Sequence, residues 1–232
     1  MVKVPFRDRS EAGRLLAAEL AKRPEFSGQR SGTNAVVLAL PRGGLPVGFE
    51  VAEALQAPLD VVVVRKLGVP WQPELAMGAM AGGTTVLDHE LIREFRISDE
   101  EVNSAIEREK REMERREKLY RGGLAALDLT GNTVVLVDDG LATGSTMTAA
   151  ARCVRALHPQ RLIIAVPVGS SEACARLKTE AGECICLATP EPFYAVGEWY
   201  EDFVQVTDGE VREILKRSRH PEPVSGPALK HA

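Results

Sequence analysis

Hydrophobic positions in this chain gather into short unbroken runs separated by polar turns and by stretches with helical spacing. Ala35-Val36-Val37-Leu38-Ala39-Leu40, Leu59 to Val64, Thr133 to Asp139, Arg161 to Val168 and Glu183 to Leu187 are such runs. A strand that is apolar at nearly every position is covered on both faces, the mark of a central parallel strand. Helical segments lie between them. Asp8 or Ser10 can cap a first helix with Leu15, Leu16 and Leu20 on its apolar side. Further helices are expected over about Val47 to Leu55, Met147 to Leu157 and after a Ser170 or Ser171 cap. Thr207-Asp208-Gly209-Glu210 is a capping box for a terminal helix ending near Lys216. Strand, turn, helix and strand in this rhythm predict parallel βαβ units and an α/β fold.

One segment breaks the rhythm. Ala76 to Ala81 and Thr84 to Leu87 flank Gly82-Gly83, the signature of a two-residue hairpin. Ser98 and Glu101 then form a capping box, with Ile97 and Val102 placed as a hydrophobic staple, for a helix running to Tyr120. Its apolar stripe (Val102, Ile106, Met113) is narrow. Glu107/Arg111, Glu112/Arg116 and Glu114/Lys118 sit at favourable i,i+4 spacing. Such a helix reads as a solvated face, with dimerisation or a lid as the alternative. Residues 1–217 read as a single domain containing an inserted region over 67–123, and 218–232 as a disordered tail rich in Pro, Ser, Gly and His. Ser27 to Asn34 reads as a polar loop.

Composition narrows the partners. At 232 residues with 44% hydrophobic content the chain can bury a sizeable core, and its net charge of −4 argues against general nucleic-acid binding. No apolar run approaches the ~18 residues of a membrane span, and the N-terminus lacks a signal peptide's apolar stretch. The four cysteines, Cys153, Cys174, Cys184 and Cys186, form no C-x-x-C pair, and Cys184 and Cys186 share one face of a strand. They read as reduced, mostly buried thiols, which favours the cytoplasm over a disulfide or zinc framework.

The chemistry concentrates in one stretch. Val134-Val135-Leu136-Val137 runs into Asp138-Asp139 and then Gly140-Leu141-Ala142-Thr143-Gly144-Ser145-Thr146, just before a helix. A strand–loop–helix of this kind aims backbone N–H groups and a positive helix terminus at one point, which suits a phosphate. Ionised carboxylates only accept hydrogen bonds, so the two aspartates suit hydroxyl groups. Phosphate beside a vicinal diol describes ribose 5-phosphate. Neither the Walker pattern nor G-x-G-x-x-G is present. A second loop, Pro41-Arg42-Gly43-Gly44-Leu45-Pro46, follows the first core strand. Its glycines admit an anion closely and Arg42 adds a permanent forked charge.

The thirteen residues Val134 to Thr146 resemble the 5-phosphoribosyl diphosphate (PRPP) motif of type I phosphoribosyltransferases. The resemblance extends over roughly Ala35 to Leu187 and is nearest to small bacterial phosphoribosyltransferase-like proteins. It implies a parallel sheet of about five strands flanked by helices, with the 67–123 hairpin and long helix in the place of the family's mobile loop. Asp138, Asp139 and Arg42 become the expected catalytic residues. Gly43, Gly44, Gly140, Leu141, Ala142, Thr143, Gly144, Ser145 and Thr146 become the expected PRPP contacts, and Arg65 and Lys66, at the end of the second strand, are expected to face the diphosphate. Glu74, Met77, Gly78, Tyr120 and Arg121 are the candidate lid contacts. Mg²⁺ is the implied cofactor, held mainly by PRPP and water rather than by side chains. A C-terminal hood over 188–206 would receive a nucleobase-like acceptor. Five of the chain's eleven Phe, Tyr and Trp residues lie between Phe193 and Phe203, and Phe193 and Trp199 are the candidates for stacking on a base.

The residues bear on two other readings. A PRPP- or nucleotide-sensing regulator without turnover would keep the same loops. A hydrolase finds no G-x-S-x-G elbow, and His220 and His231 lie in the tail, while His89 and His158 lack a nucleophile partner.

Overall fold

The computed structural model describes residues 2–27 and 35–219. Helix α1 (Arg9–Leu20) starts where the Asp8 carboxylate accepts the Glu11 N–H at 2.7 Å. Leu16 and Leu20 are buried one turn apart, whereas Leu15 is 40% exposed, about 100° round the helix from Leu16. A short α2 (Pro24–Ser27) takes in the first residue of the expected polar loop, whose remainder lies outside the described residues. Strand β1 (Ala35–Ala39) leads through Leu40 to Gly43 into α3 (Gly44–Leu55). This helix begins three residues earlier than expected because Pro46 falls in the first turn, where a missing N–H leaves no bond unmade.

Strand β2 (Leu59–Val61) stops short of the expected Val64. The chain crosses at Val62-Val63 and resumes as β3 (Val64–Val69), which pairs with β4 (Gln72–Ala81) and β5 (Thr84–Leu87) in a separate antiparallel sheet. The β4–β5 turn falls at Gly82-Gly83 as the sequence predicts. Helices α4 (His89–Glu94) and α5 (Asp99–Arg121) follow, the second with both halves of the Ser98–Glu101 capping box. Glu112 pairs with Arg116 at 2.7 Å, but Arg111 Nε donates to the Glu107 carbonyl instead of its carboxylate. Far from a wholly solvated face, α5 buries Val102, Ala105, Met113 and Tyr120.

The main sheet resumes with β6 (Thr133–Val137), then α6 (Ser145–Arg155), β7 (Arg161–Val168), α7 (Ser171–Ala181, capped by Ser170) and β8 (Cys184–Ala188). A 3-10 turn at Val196–Trp199 precedes α8 (Asp208–Arg219), which carries the Thr207–Glu210 capping box and runs past the expected end into Ser218. The rest of the proposed tail lies outside the described residues. No helix among the described residues is long and apolar enough to cross a membrane.

The five parallel strands lie in the order β2-β1-β6-β7-β8. Alternate residues face opposite layers. Val37, Ala39, Val135 and Val137 pack with Leu16, Val51, Val102 and Val211, while Val36, Leu38, Val134 and Leu136 pack with Met147, Val154 and Leu177. From β1 the chain departs towards β2, and from β6 towards β7, so the two loops at these strand ends diverge and leave a crevice between them. Ligands of open α/β sheets bind at such a switch point.

Where β2 ends, Asp60 is 1% exposed, and its carboxylate takes Arg121 Nε at 3.1 Å while Arg121 Nη2 donates to the Val61 carbonyl at 2.8 Å. Removing one partner of a buried pair leaves the other charge desolvated. Arg121→Leu is therefore expected to lower unfolding free energy by about 3 kcal/mol in urea denaturation; an unchanged midpoint would remove this pair from the fold's support.

Candidate active site

The loop after β6 is held before it is used. Leu141 donates its N–H to the Val168 carbonyl at 2.9 Å and accepts the Ser170 N–H at 2.9 Å, so the loop is stitched to the end of β7. Ser170 Oγ donates to the Ala142 carbonyl at 2.8 Å, and the Arg176 guanidinium donates to the Thr143 carbonyl. Gly144 takes φ 67°, a left-handed conformation that glycine adopts without a Cβ penalty, and forms the N-cap of α6. The exposed Ser145 and Thr146 open that helix. Lys66 Nζ donates to Ser145 Oγ at 2.8 Å. A helix N-terminus, the Thr143 and Ser145 hydroxyls, 3.3 Å apart, and an ammonium thus meet at one patch, an arrangement suited to a phosphate.

At the strand end, Asp138 Oδ1 accepts the Asp139 N–H at 2.9 Å. Asp139 is the more constrained of the two. Its Oδ2 accepts Arg9 Nε at 2.8 Å, and its carbonyl accepts the Tyr200 hydroxyl at 2.6 Å. A Cβ on Gly43 would overlap its carboxylate, and one on Gly44 would come within 2.9 Å of the Val137 carbonyl. Only glycines let the Arg42 loop lie this close to the two acids. Burial pushes the Asp138 carboxyl well above its ordinary 3.8, and the Asp139 charge adds to the effect. Burial also raises Asp139, with Arg9 acting against it. Tyr200 is raised by burial first and by Asp139 second.

Arg9 is bound on every side. Its side chain is 11% exposed, its Nη1 donates to the Val204 carbonyl at 2.7 Å, and its guanidinium carbon lies 3.8 Å from the centre of the Phe203 ring. That stacking adds a cation–π attraction to the ion pair. A cleft of about 580 Å³ opens beside it, bounded by Arg42, Arg115, Arg116, Tyr120 and Asp208. Tyr120 donates its hydroxyl to Asp208 at 2.9 Å, and Arg42 Nη1 stands 3.8 Å from the same carboxylate.

The structure brings Asp138, Asp139, Gly43 and Gly44 into contact, with Arg42 beside them on the cleft, and gathers Thr143, Ser145 and Lys66 at the start of α6. Several expected contacts fall elsewhere. Leu141 is 2% exposed and its amide is already bonded to Val168. Gly140 lies against the hood, where an added Cβ would meet Val196 at 2.5 Å. Arg65 and Lys66 do not end a core strand beside Arg42, because the chain has left the main sheet by Val64. Lys66 meets Ser145 instead, and Arg65 Nη2 is paired with Glu109 at 2.6 Å. Among the candidate lid contacts, Met77 is fully buried and Arg121 is bound to Asp60; Glu74 and Gly78 line a cavity with Lys66 and Ser145, and Tyr120 reaches the cleft beside Arg42. Phe193 and Trp199 stack on each other with centroids 6.1 Å apart, and the buried Trp199 Nε1 has no hydrogen-bond partner among the described residues.

Arg9, Arg115, Tyr200 and Asp208 escape sequence reasoning. They reach the site from α1, α5, the stretch after the 3-10 turn and α8; no local motif marks Arg9 or Arg115, and the capping box at Asp208 and the aromatic cluster at Tyr200 point to other roles. Among the described residues no group of three or more acidic, histidine or cysteine side chains could hold a metal ion by itself. Two carboxylates beside a phosphate cradle fit Mg²⁺ bound chiefly through ligand and water oxygens, as that ion prefers.

Comparison with known proteins matches residues 11–198 to the phosphoribosyl transferase domain model. A protein of Mycobacterium tuberculosis strain H37Rv, provisionally named a phosphoribosyl transferase, is 48% identical over 215 residues, and the same match is found in strain CDC 1551. The alignment covers 92% of this chain and 47% of each relative, so the chain spans about half the length of the curated relatives it matches. The crystal structure of a Thermus thermophilus protein is 43% identical and superposes with a TM-score of 0.79, covering 90% of this chain and 97% of that one.

A carboxyl whose pKa is raised by folding costs stability once the pH passes its unfolded value, and the loss is complete above the folded value. Asp138→Asn is therefore expected to raise the melting temperature at neutral pH, with the gain shrinking as the pH falls to 3.8. A neutral-pH melt equal to the wild type's would contradict a strained carboxylate. Arg9→Gln should act oppositely, losing about 2 kcal/mol of stability.

Proposed function

Since the chain belongs to the phosphoribosyl transferase family, we propose that it transfers the 5-phosphoribosyl group from PRPP to a nitrogen of a nucleobase-like acceptor, with release of diphosphate. The observation that carries this reading is the single loop between β6 and α6, which begins with two carboxylates at 138–139 and ends at a helix N-terminus where Ser145 meets Lys66. The spacing of strand ends in a parallel sheet suits a ribose with its 5-phosphate on the α6 side.

Asp138 and Asp139 accept hydrogen bonds from the ribose hydroxyls. Their charge lies close to the anomeric carbon, where positive charge develops as the diphosphate departs, and electrostatic stabilisation of that kind needs groups already in place. Arg9 and Tyr200 hold Asp139 in place. The first turn of α6, with Thr143, Ser145 and Thr146, binds the 5-phosphate, and Lys66 adds charge there. Arg42 and the backbone of Gly43 steady the leaving diphosphate, with the cleft at Arg115 and Arg116 beside it. Mg²⁺, when bound, neutralises diphosphate charge and orients its oxygens. The hood over 188–206 faces the acceptor and keeps water from the reactive carbon.

Diphosphate release from PRPP with Mg²⁺ across a panel of nucleobases tests the reading. Acceptor-dependent release that falls at least ~10³-fold in the Asp138→Asn/Asp139→Asn variant is the expected result. Saturable PRPP binding with no release for any acceptor would favour a sensing protein, and absence of PRPP binding would overturn the assignment of the cradle.

A further inference from the structure

Beneath the phosphate cradle, three of the four cysteines meet. Cys174 lies in the first turn of α7, and Cys184 and Cys186 lie two apart on β8 with their side chains on the same face. All three are half-buried and free. Side chains in a helix lean towards its N-terminus, and the Cys174 thiol accordingly points back at Gly169. A Cβ placed on Gly169 would stand 2.9 Å from Cys174 Sγ and 3.5 Å from Cys186 Sγ. Gly169 leaves a space that the sulfurs fill. The fourth thiol, Cys153, is fully buried in α6 among apolar neighbours, and burial pushes it up to about 11.

We infer that Cys174 is a peroxide-reactive thiolate, with Cys184 or Cys186 as its resolving thiol. The chemistry of the cluster supports it. The neighbouring β8 thiols hold Cys174 down to about 4 against the effect of burial, while their contact with Cys174 and burial push those two up; Cys186 Sγ itself donates to the Ala188 carbonyl at 3.1 Å. The positive end of α7 favours the same charge. Thiolate character with partial exposure is what makes a cysteine susceptible to oxidation. Cys174 sulfur attacks the O–O bond of a hydroperoxide, taking one oxygen to become a sulfenic acid and releasing hydroxide or alkoxide. A β8 thiol then attacks that sulfur, the S–O bond breaks, and water leaves as the disulfide forms. Two thiols lose two electrons and two protons, and the peroxide is reduced. The bond would tie the first turn of α7 to β8, and that turn's Ser170 cap is the group that holds the Ala142 carbonyl of the cradle.

The test uses the reduced chain and stoichiometric hydrogen peroxide, read by thiol titration and intact mass, and does not depend on any transferase activity. The expected result is loss of two of the four thiols and of two hydrogens in mass, with peptide mapping joining Cys174 to the β8 peptide. In a Cys184→Ser/Cys186→Ser chain, dimedone should label Cys174 as its sulfenic acid. Retention of all four thiols, or oxidation that begins at Cys153, would overturn the inference. Because the thiol count, mass and peptide map are read on the unmodified chain, a Cys184→Ser/Cys186→Ser variant that fails to fold does not blunt them.

Discussion

The ion pair between Arg9 and Asp139 ties together segments from opposite ends of the chain. Asp139 ends a central strand, where the low-dielectric surroundings penalise a charge. Arg9 supplies the compensating charge from a helix 130 residues away in sequence. The same guanidinium stacks on Phe203 and bonds the Val204 carbonyl, and Tyr200 bonds the Asp139 carbonyl. The N-terminal helix, the strand end and the hood therefore share one electrostatic centre, and Gly43 leaves just enough room for the Arg42 loop to touch it.

The inserted region divides its contributions across that centre. By leaving the main sheet at Val62, the chain carries Lys66 over the α6 side of the crevice, and the return along α5 brings Arg115, Arg116 and Tyr120 to the Arg42 side. One excursion thus places positive charge at both ends of the space between the two loops. The buried Asp60–Arg121 pair anchors the point where the excursion rejoins the fold. Arg121 therefore serves the scaffold, although it adjoins a residue that faces the cleft.

The two aspartates illustrate the tension between stability and a prepared site. Folding forces Asp138 into a position where its charge is disfavoured, and the neighbouring Asp139 worsens it. Such a group weakens the fold at neutral pH. Positions that break local rules for stability often mark function.

Much of this was readable in the chain itself. Unbroken apolar runs specified the parallel strands because strands covered on both faces have no polar side. Capping boxes at Ser98 and Thr207 marked helix starts because their hydrogen bonds are local, and Gly82-Gly83 marked the hairpin for the same reason. The D-D-G-x-x-T-G-S-T stretch carries its geometry within a few residues, so the acids and the cradle could be read together. Tertiary structure alone decided the rest. The run from Leu59 to Val64 has no signal that separates a continuing strand from one that crosses into a second sheet, so Lys66 and Arg65 changed neighbours. Arg9, Tyr200, Arg115 and Asp208 became part of the site only when distant elements packed. Charge compensation and close approach act through space, and a linear pattern records only what neighbours along the chain must satisfy.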